Sequence, residues 1–153
     1  HAQDFGASLC GTMFAHDLDG DGVADILCPT PHAYGLYWWQ QRSGRFERRV
    51  IDESISQMGA LALEDLDGDG QPELVSGKNW LAHPAGDPGT DDPPLLVYYQ
   101  VEPDGAGGVT VERHDIDDDS GIGRQVTVGD IDRDGRADLA LSTKRGLFVF
   151  VQR

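Results

Sequence analysis

Asp17-Leu18-Asp19-Gly20-Asp21-Gly22-Val23-Ala24-Asp25 is the stretch whose reading decides the fold. It recurs as Asp65-Leu66-Asp67-Gly68-Asp69-Gly70-Gln71-Pro72-Glu73 and as Asp130-Ile131-Asp132-Arg133-Asp134-Gly135-Arg136-Ala137-Asp138. Each copy carries carboxylates at positions 1, 3, 5 and 9 and a glycine at position 6. A hard cation such as Ca²⁺ takes about six to eight oxygen ligands, which alternate residues of a tight loop can turn inward. Glycine at position 6 allows the sharp turn. Position 7 (Val23, Gln71, Arg136) would contribute its backbone carbonyl, so its side chain is free to vary. The expected ligands are therefore Asp17, Asp19, Asp21, Val23 and Asp25, then Asp65, Asp67, Asp69, Gln71 and Glu73, then Asp130, Asp132, Asp134, Arg136 and Asp138. A single Asp/Gly cluster reads as a solvated turn. Three copies with the same carboxylates read as three calcium sites.

The first five positions also fit an EF-hand, which requires a bidentate Glu at position 12 and a helix on each side. Position 12 is Cys28, Ser76 and Leu141. The flanks, such as Met13-Phe14-Ala15, Leu74-Val75 and Val126-Thr127-Val128, are short apolar runs that read as buried strands. Each loop then joins the first two strands of an antiparallel meander.

Repeat spacing sets the architecture. The loops start 48 and 65 residues apart, and the pattern around them recurs. The first unit predicts strands at Gly11 to Ala15, Val23 to Cys28, Gly35 to Trp39 and Phe46 to Ile51. The second starts near Met58 and carries an insertion, Lys78 to Pro94, which explains the longer spacing. Its later strands are Glu73 to Gly77, Leu95 to Val101 and Val109 to Ile116. The third runs from Gln125 and shows only three strands, ending with Ala137 to Ser142 and Leu147 to Val151. Four-stranded meanders of this length, buried on both faces, stack as β-propeller blades. The expectation is an all-β chain of three blades, about 8–55, 56–118 and 119–153, with residues 1–10 available to complete a blade. Three blades alone do not close a ring. Pairing of two chains, a head-to-tail filament, a piece of a larger propeller or a flat stack would each cover the open edges.

Composition narrows the function. The chain has 153 residues, 39% hydrophobic, with 20 glycines and a formal net charge of −15. Twelve of its 27 acidic residues lie in the three loops, so much of the acidity is ligand charge. No basic stripe exists to meet nucleic-acid phosphates. No run approaches the ~18 apolar residues of a membrane-spanning helix. The chain begins at His1, which reads as a processed or excised end. Calcium loops of weak affinity belong to extracellular modules, so a secreted, surface or periplasmic setting is expected. Cys10 and Cys28 stand at unequal distances from the first loop, and the reading favours two buried thiols over a disulfide.

The three loops resemble the FG-GAP/VCBS repeats of integrin-like β-propellers, whose blades carry such a calcium loop between their first two strands. A narrower likeness rests on His32-Ala33-Tyr34-Gly35-Leu36-Tyr37-Trp38-Trp39-Gln40-Gln41, Ser76-Gly77-Lys78-Asn79-Trp80-Leu81-Ala82-His83, Gly86-Asp87-Pro88-Gly89 and His114-Asp115-Ile116-Asp117-Asp118-Asp119-Ser120-Gly121-Ile122-Gly123. These are similar to the later blades of secreted bacterial VCBS propellers and, through them, to the propeller domain of fungal aldos-2-ulose dehydratase. In those bacterial sequences a His commonly follows the pair that reads Ser56-Gln57 here, whereas this chain has Gly59 in that region.

Candidates outside the loops are few. His83 and His114, with His32, are the candidates to bind zinc or to abstract a proton beside a sugar carbonyl. They would converge with Lys78, Tyr34 and Asp87 near the propeller axis, where Lys78 or Tyr34 would steady the oxyanion; unrelated polar side chains in turns are the bland alternative. Trp80 and His32 are the candidates for ligand contact. Tyr37, Trp38 and Trp39 alternate along one strand, so one face is core and the other can meet a sugar or a neighbouring subunit. Asp115, Asp117 and Asp119 imitate a fourth loop but have Ser120 at position 6, which reads as a turn. The sequence reading is thus a calcium-pinned extracellular repeat protein. It would act in binding or assembly with copies of itself or with glycans. A sugar lyase or dehydratase is the alternative.

Overall fold

A computed structural model describes residues 10–81 and 86–153. The described residues contain eleven strands and no helix, which leaves no element for an EF-hand. Sheet one is built from β1 (Phe14–His16), β2 (Asp25–Pro29), β3 (Tyr34–Arg42) and β4 (Arg45–Ser56), paired in that order. Sheet two repeats the order with β5 (Ala62–Glu64), β6 (Glu73–Lys78), β7 (Leu95–Pro103) and β8 (Val109–Asp117). Sheet three has β9 (Val126–Gly129), β10 (Asp138–Thr143) and β11 (Gly146–Phe150). All pairings are antiparallel. This is the arrangement of propeller-type blades. The expected use of residues 1–10 as a completing strand falls almost wholly on residues 1–9, outside the described residues.

Period-2 alternation turns each strand's apolar residues to the seams between sheets. Leu27, Leu36 and Trp38 of sheet one meet Leu74, Val97 and Tyr99 of sheet two. On the opposite face of sheet two, Val75 and Leu96 meet Leu139 and Leu141 of sheet three. β6 serves both seams, and all six of its residues are buried. Trp38 is therefore core, whereas Trp39 pairs with Ile26 on the other face of sheet one and is only half-buried.

Two features depart from the sequence reading. β3 and β4 run past their predicted ends at Trp39 and Ile51. β4 is the outer strand, and its charged, exposed residues (Arg45, Glu47, Arg48, Arg49) give no apolar signal. More importantly, Cys10 and Cys28 form a disulfide, with Cα atoms 5.4 Å apart, so the expectation of two buried thiols is corrected. β1 begins only at Phe14, in register with Leu27. The chain before it bends at Gly11–Thr12, and Gly11 N–H donates to the Pro29 carbonyl. That bend brings Cys10 alongside β2.

The first seam also holds a polar lock. Tyr99, fully buried, donates its hydroxyl to Asp52 Oδ2 at 2.8 Å. Ser54 N–H (2.6 Å) and Arg113 (3.4 Å) complete the carboxylate's partners. Burial alone would raise the Asp52 pKa, but the bonds from Ser54 and Tyr99 and the Arg113 charge outweigh it and hold it below the ordinary value. Its contribution to stability is thus complete above the ordinary carboxylate pKa of ~3.9 and is lost as pH falls through the lower folded value. Tyr99→Phe is expected to cost about 1.5–3 kcal/mol near pH 7, because a bond to a charged group is lost. The cost shrinks as Asp52 protonates, which urea melts of both proteins from about pH 7 to about pH 2 will show.

Candidate metal centres

Each loop brings three carboxylates together: Asp17, Asp19 and Asp25; Asp65, Asp67 and Glu73; Asp130, Asp132 and Asp138. Within each set, one oxygen per residue lies within 4.8 Å of the others. The local chain dictates this convergence. Position 1 sits below the turn and accepts the amides of position 6: Gly22 to Asp17 (2.8 Å), Gly70 to Asp65 (3.0 Å) and Gly135 to Asp130 (3.0 Å). Position 9 opens the outgoing strand and is buried, at 1% exposure for Asp25, 3% for Glu73 and 0% for Asp138. Its carboxylate accepts the amide of position 2: Leu18 to Asp25, Leu66 to Glu73 and Ile131 to Asp138. In the first and third loops it also reaches across, to Gln41 N–H and to Gln152 N–H. Position 9 therefore fixes the loop to its sheet whether or not it binds an ion.

The position-5 carboxylates lie outside these sets of three. Asp21, Asp69 and Asp134 each accept the amide of position 7 (2.7–2.9 Å). Position 4 matters too: Gly20, Gly68 and Arg133 all have positive φ (73°, 82° and 67°). Arg133 takes that conformation at the cost of crowding its Cβ. The sequence reading explained position 6 and missed position 4, although glycine at two of the three copies was the available signal.

Three carboxylates this close repel one another strongly unless a cation stands between them. Burial raises the pKa of Asp25 and of Glu73, and the neighbouring loop carboxylates raise that of Glu73 further. All of these donors are hard oxygens, with no imidazole or thiolate among them, which suits calcium rather than zinc or copper. The three clusters can hold metal ions.

The loops differ in counter-charge. Arg42 bonds Asp19 (2.7 Å) and Asp21 (3.3 Å) in the first, and Gln40 adds a bond to Asp19. Arg136 pairs with Asp134 in the third. The second loop has no ion pair among the described residues; Gln100 donates to Asp67 (3.3 Å).

Residues 17–76 match the FG-GAP-like repeat. The match runs from the first carboxylate of loop one to Ser76 in β6, so the repeat covers the sequence from one loop through the next. No curated protein matches the chain.

Beside the repeat's loops, the other candidates fall in two places. His32 Nδ1 lies 2.9 Å from Asp87, and Tyr34 donates to Asp92 (2.8 Å). Lys78 is buried, with its Nζ on Gln57 Oε1 (3.2 Å) and the Asn79 carbonyl (3.1 Å), and desolvation lowers its pKa. Ser56 donates to Asp92 and Gln57 to Thr90, so this network clamps the turn at 87–92 onto the first seam. Ser56, Gln57, Thr90 and Asp92 were not legible as partners, because each bond spans at least 33 residues. His114 lies apart on β8, stacked on Tyr98 (4.6 Å) and bonded to Gln100. His83 falls outside the described residues. Asp117 caps the amides of Asp119 and Ser120, the turn expected there. Gly59 has a steric reason: a Cβ there would sit 2.4 Å from the Gly123 carbonyl oxygen.

Proposed function

We propose that this chain is an extracellular, propeller-type repeat domain whose three loops hold structural calcium and whose task is binding and assembly rather than turnover. The observation that carries the reading is the threefold recurrence of one carboxylate cluster at the same point of each sheet. Asp17, Asp19 and Asp25, with their counterparts in the other loops, would hold the ion; the carboxylates of position 5 and the carbonyls of Val23, Gln71 and Arg136 would complete the shell. Bound calcium would neutralise the cluster and pin the hairpin that starts each blade. The disulfide fits an oxidising compartment. No helix among the described residues is long and apolar enough to cross a membrane.

The open faces support assembly. Sheet three ends in β11, where Leu147 (76% exposed) and Val149 (48%) point away from the second seam. Sheet one presents Ile26 paired with Trp39, beside exposed Val50. Another blade packed on these faces would cover them, as exposed apolar patches mark interaction sites. That blade would come from a second copy of the chain or from further repeats of a longer propeller like those of the VCBS family. The dehydratase-like alternative has less support, since His114 stands apart from His32 and Lys78.

Light scattering in millimolar calcium tests the reading. A mass of two chains or more that falls on Leu147→Glu/Val149→Glu substitution is the expected result. A 16.6 kDa monomer at every concentration would contradict assembly.

A further inference from the structure

We propose that the cavity where the three sheets converge binds an acidic sugar through Arg124 and Lys144, with Trp80 against the sugar ring. The proposal deepens the binding role above and rests on it. The cavity holds about 770 Å³ and draws its walls from all three sheets. Its floor is glycine by necessity, because a Cβ at Gly123 would stand 1.8 Å from the Ser142 carbonyl oxygen and one at Gly59 would strike Gly123. The sheets thus meet there backbone to backbone and leave the space above them open.

The repeat places functional side chains around this space. Counting from the first Asp of each loop, His32, Trp80 and Arg145 all stand 15 residues on. One residue earlier stand Pro31, Asn79 and Lys144, and six before each loop stand Gly11, Gly59 and Arg124. The latter two positions thus carry a cation only in the third repeat. Both of these cations line the cavity, and neither has an ion-pair partner among the described residues.

Charge decides the ligand class. The chain carries 27 acidic residues and a net charge of −15. Yet among the described residues no carboxylate lines this cavity. Asp87 approaches only as the partner of His32. An anion would thus be favoured here and repelled over the acidic loops. Trp80, 39% exposed, offers an indole plane already flanked by the Arg145 guanidinium (5.8 Å). Thr12, Asn79 and Thr143 add short polar groups to the walls. An aromatic plane, small hydrogen-bonding groups and two cations together suit a carboxylated sugar better than a simple ion.

The test is calorimetric titration of the whole chain, in saturating calcium, with trigalacturonate. Binding is expected, with neutral galactotriose inert. Arg124→Gln/Lys144→Gln should weaken it about a hundredfold, about tenfold for each charge-assisted hydrogen bond removed. Trp80→Ala should weaken it about tenfold. Arg45→Gln/Arg153→Gln removes the same charge elsewhere and should leave affinity unchanged. No binding by the native chain, equal losses in the charge control, binding untouched by loss of both cavity cations (the sign of a calcium bridge to the loops), or tighter binding of tetraglutamate would each overturn the proposal. Melting curves with and without calcium on the same samples separate the two readings. A calcium-stabilised chain that ignores trigalacturonate defeats the cavity assignment alone, and a chain indifferent to calcium defeats the reading beneath it.

Discussion

Removing calcium is expected to strip this protein of most of its stability. Loops of extracellular modules bind with Kd of about 10⁻⁴–10⁻³ M, so about 10 mM calcium stabilises the fold by about 1.4–2.7 kcal/mol per site, or about 4–8 kcal/mol for three. A domain of ordinary stability has about 5–15 kcal/mol in total. At this chain length the shift corresponds to about 10–30 °C in Tm. The metal-free fold from which this gain is counted is itself weakened, because each loop gathers three carboxylates within 4.8 Å. The second loop should suffer most: among the described residues its carboxylates have no ion pair of the kind that Arg42 and Arg136 make in the other two. Thermal melts in calcium and in excess chelator check this directly. Magnesium should rescue poorly, since it demands tighter octahedral geometry.

Loss of the disulfide is the second large effect. Cys10 and Cys28 are 18 residues apart. Cross-linking a loop near that size is worth about 3 kcal/mol in the chain-entropy account. Cys10→Ser/Cys28→Ser should therefore lower Tm by about 6–12 °C. The consequence is also local. Gly11 and Thr12 line the cavity beside Cys10, so the variant should lose order there while the second and third loops keep their calcium affinity. Melting and hydrogen exchange on the double variant, compared with native protein under reductant, measure both.

The parts of the structure legible in the sequence are those encoded locally. A loop ligand is recognised by its place in a nine-residue string, and Asp17, Asp19 and Asp25 come together because the turn between them is written in Asp and Gly. Strands such as Glu73–Lys78 announce themselves because both faces are buried. The disulfide was hidden because it depends on a bend at Gly11–Thr12 that no periodicity marks. β4 was cut short because an outer strand is free to carry charge on its exposed side. The bonds of Asp92 to Ser56 and Tyr34 were hidden for a different reason: they exist only once the insertion folds back onto another sheet. Each position-5 carboxylate also accepts the position-7 amide through one oxygen, a local bond written in the same string and leaving its second oxygen for an ion.

The most direct measurement of the central claim is calcium stoichiometry by titration calorimetry on the metal-free chain, repeated with Asp25→Asn, Glu73→Gln and Asp138→Asn in turn. Three ions per native chain and two for each variant are expected. Glu73→Gln can keep its position-2 bond, while Asp25→Asn and Asp138→Asn also lose the acceptor of Gln41 N–H or Gln152 N–H, so melting curves check that each variant is folded before its ions are counted. Binding of fewer ions to the native chain, or a count that the three substitutions leave unchanged, would contradict that claim.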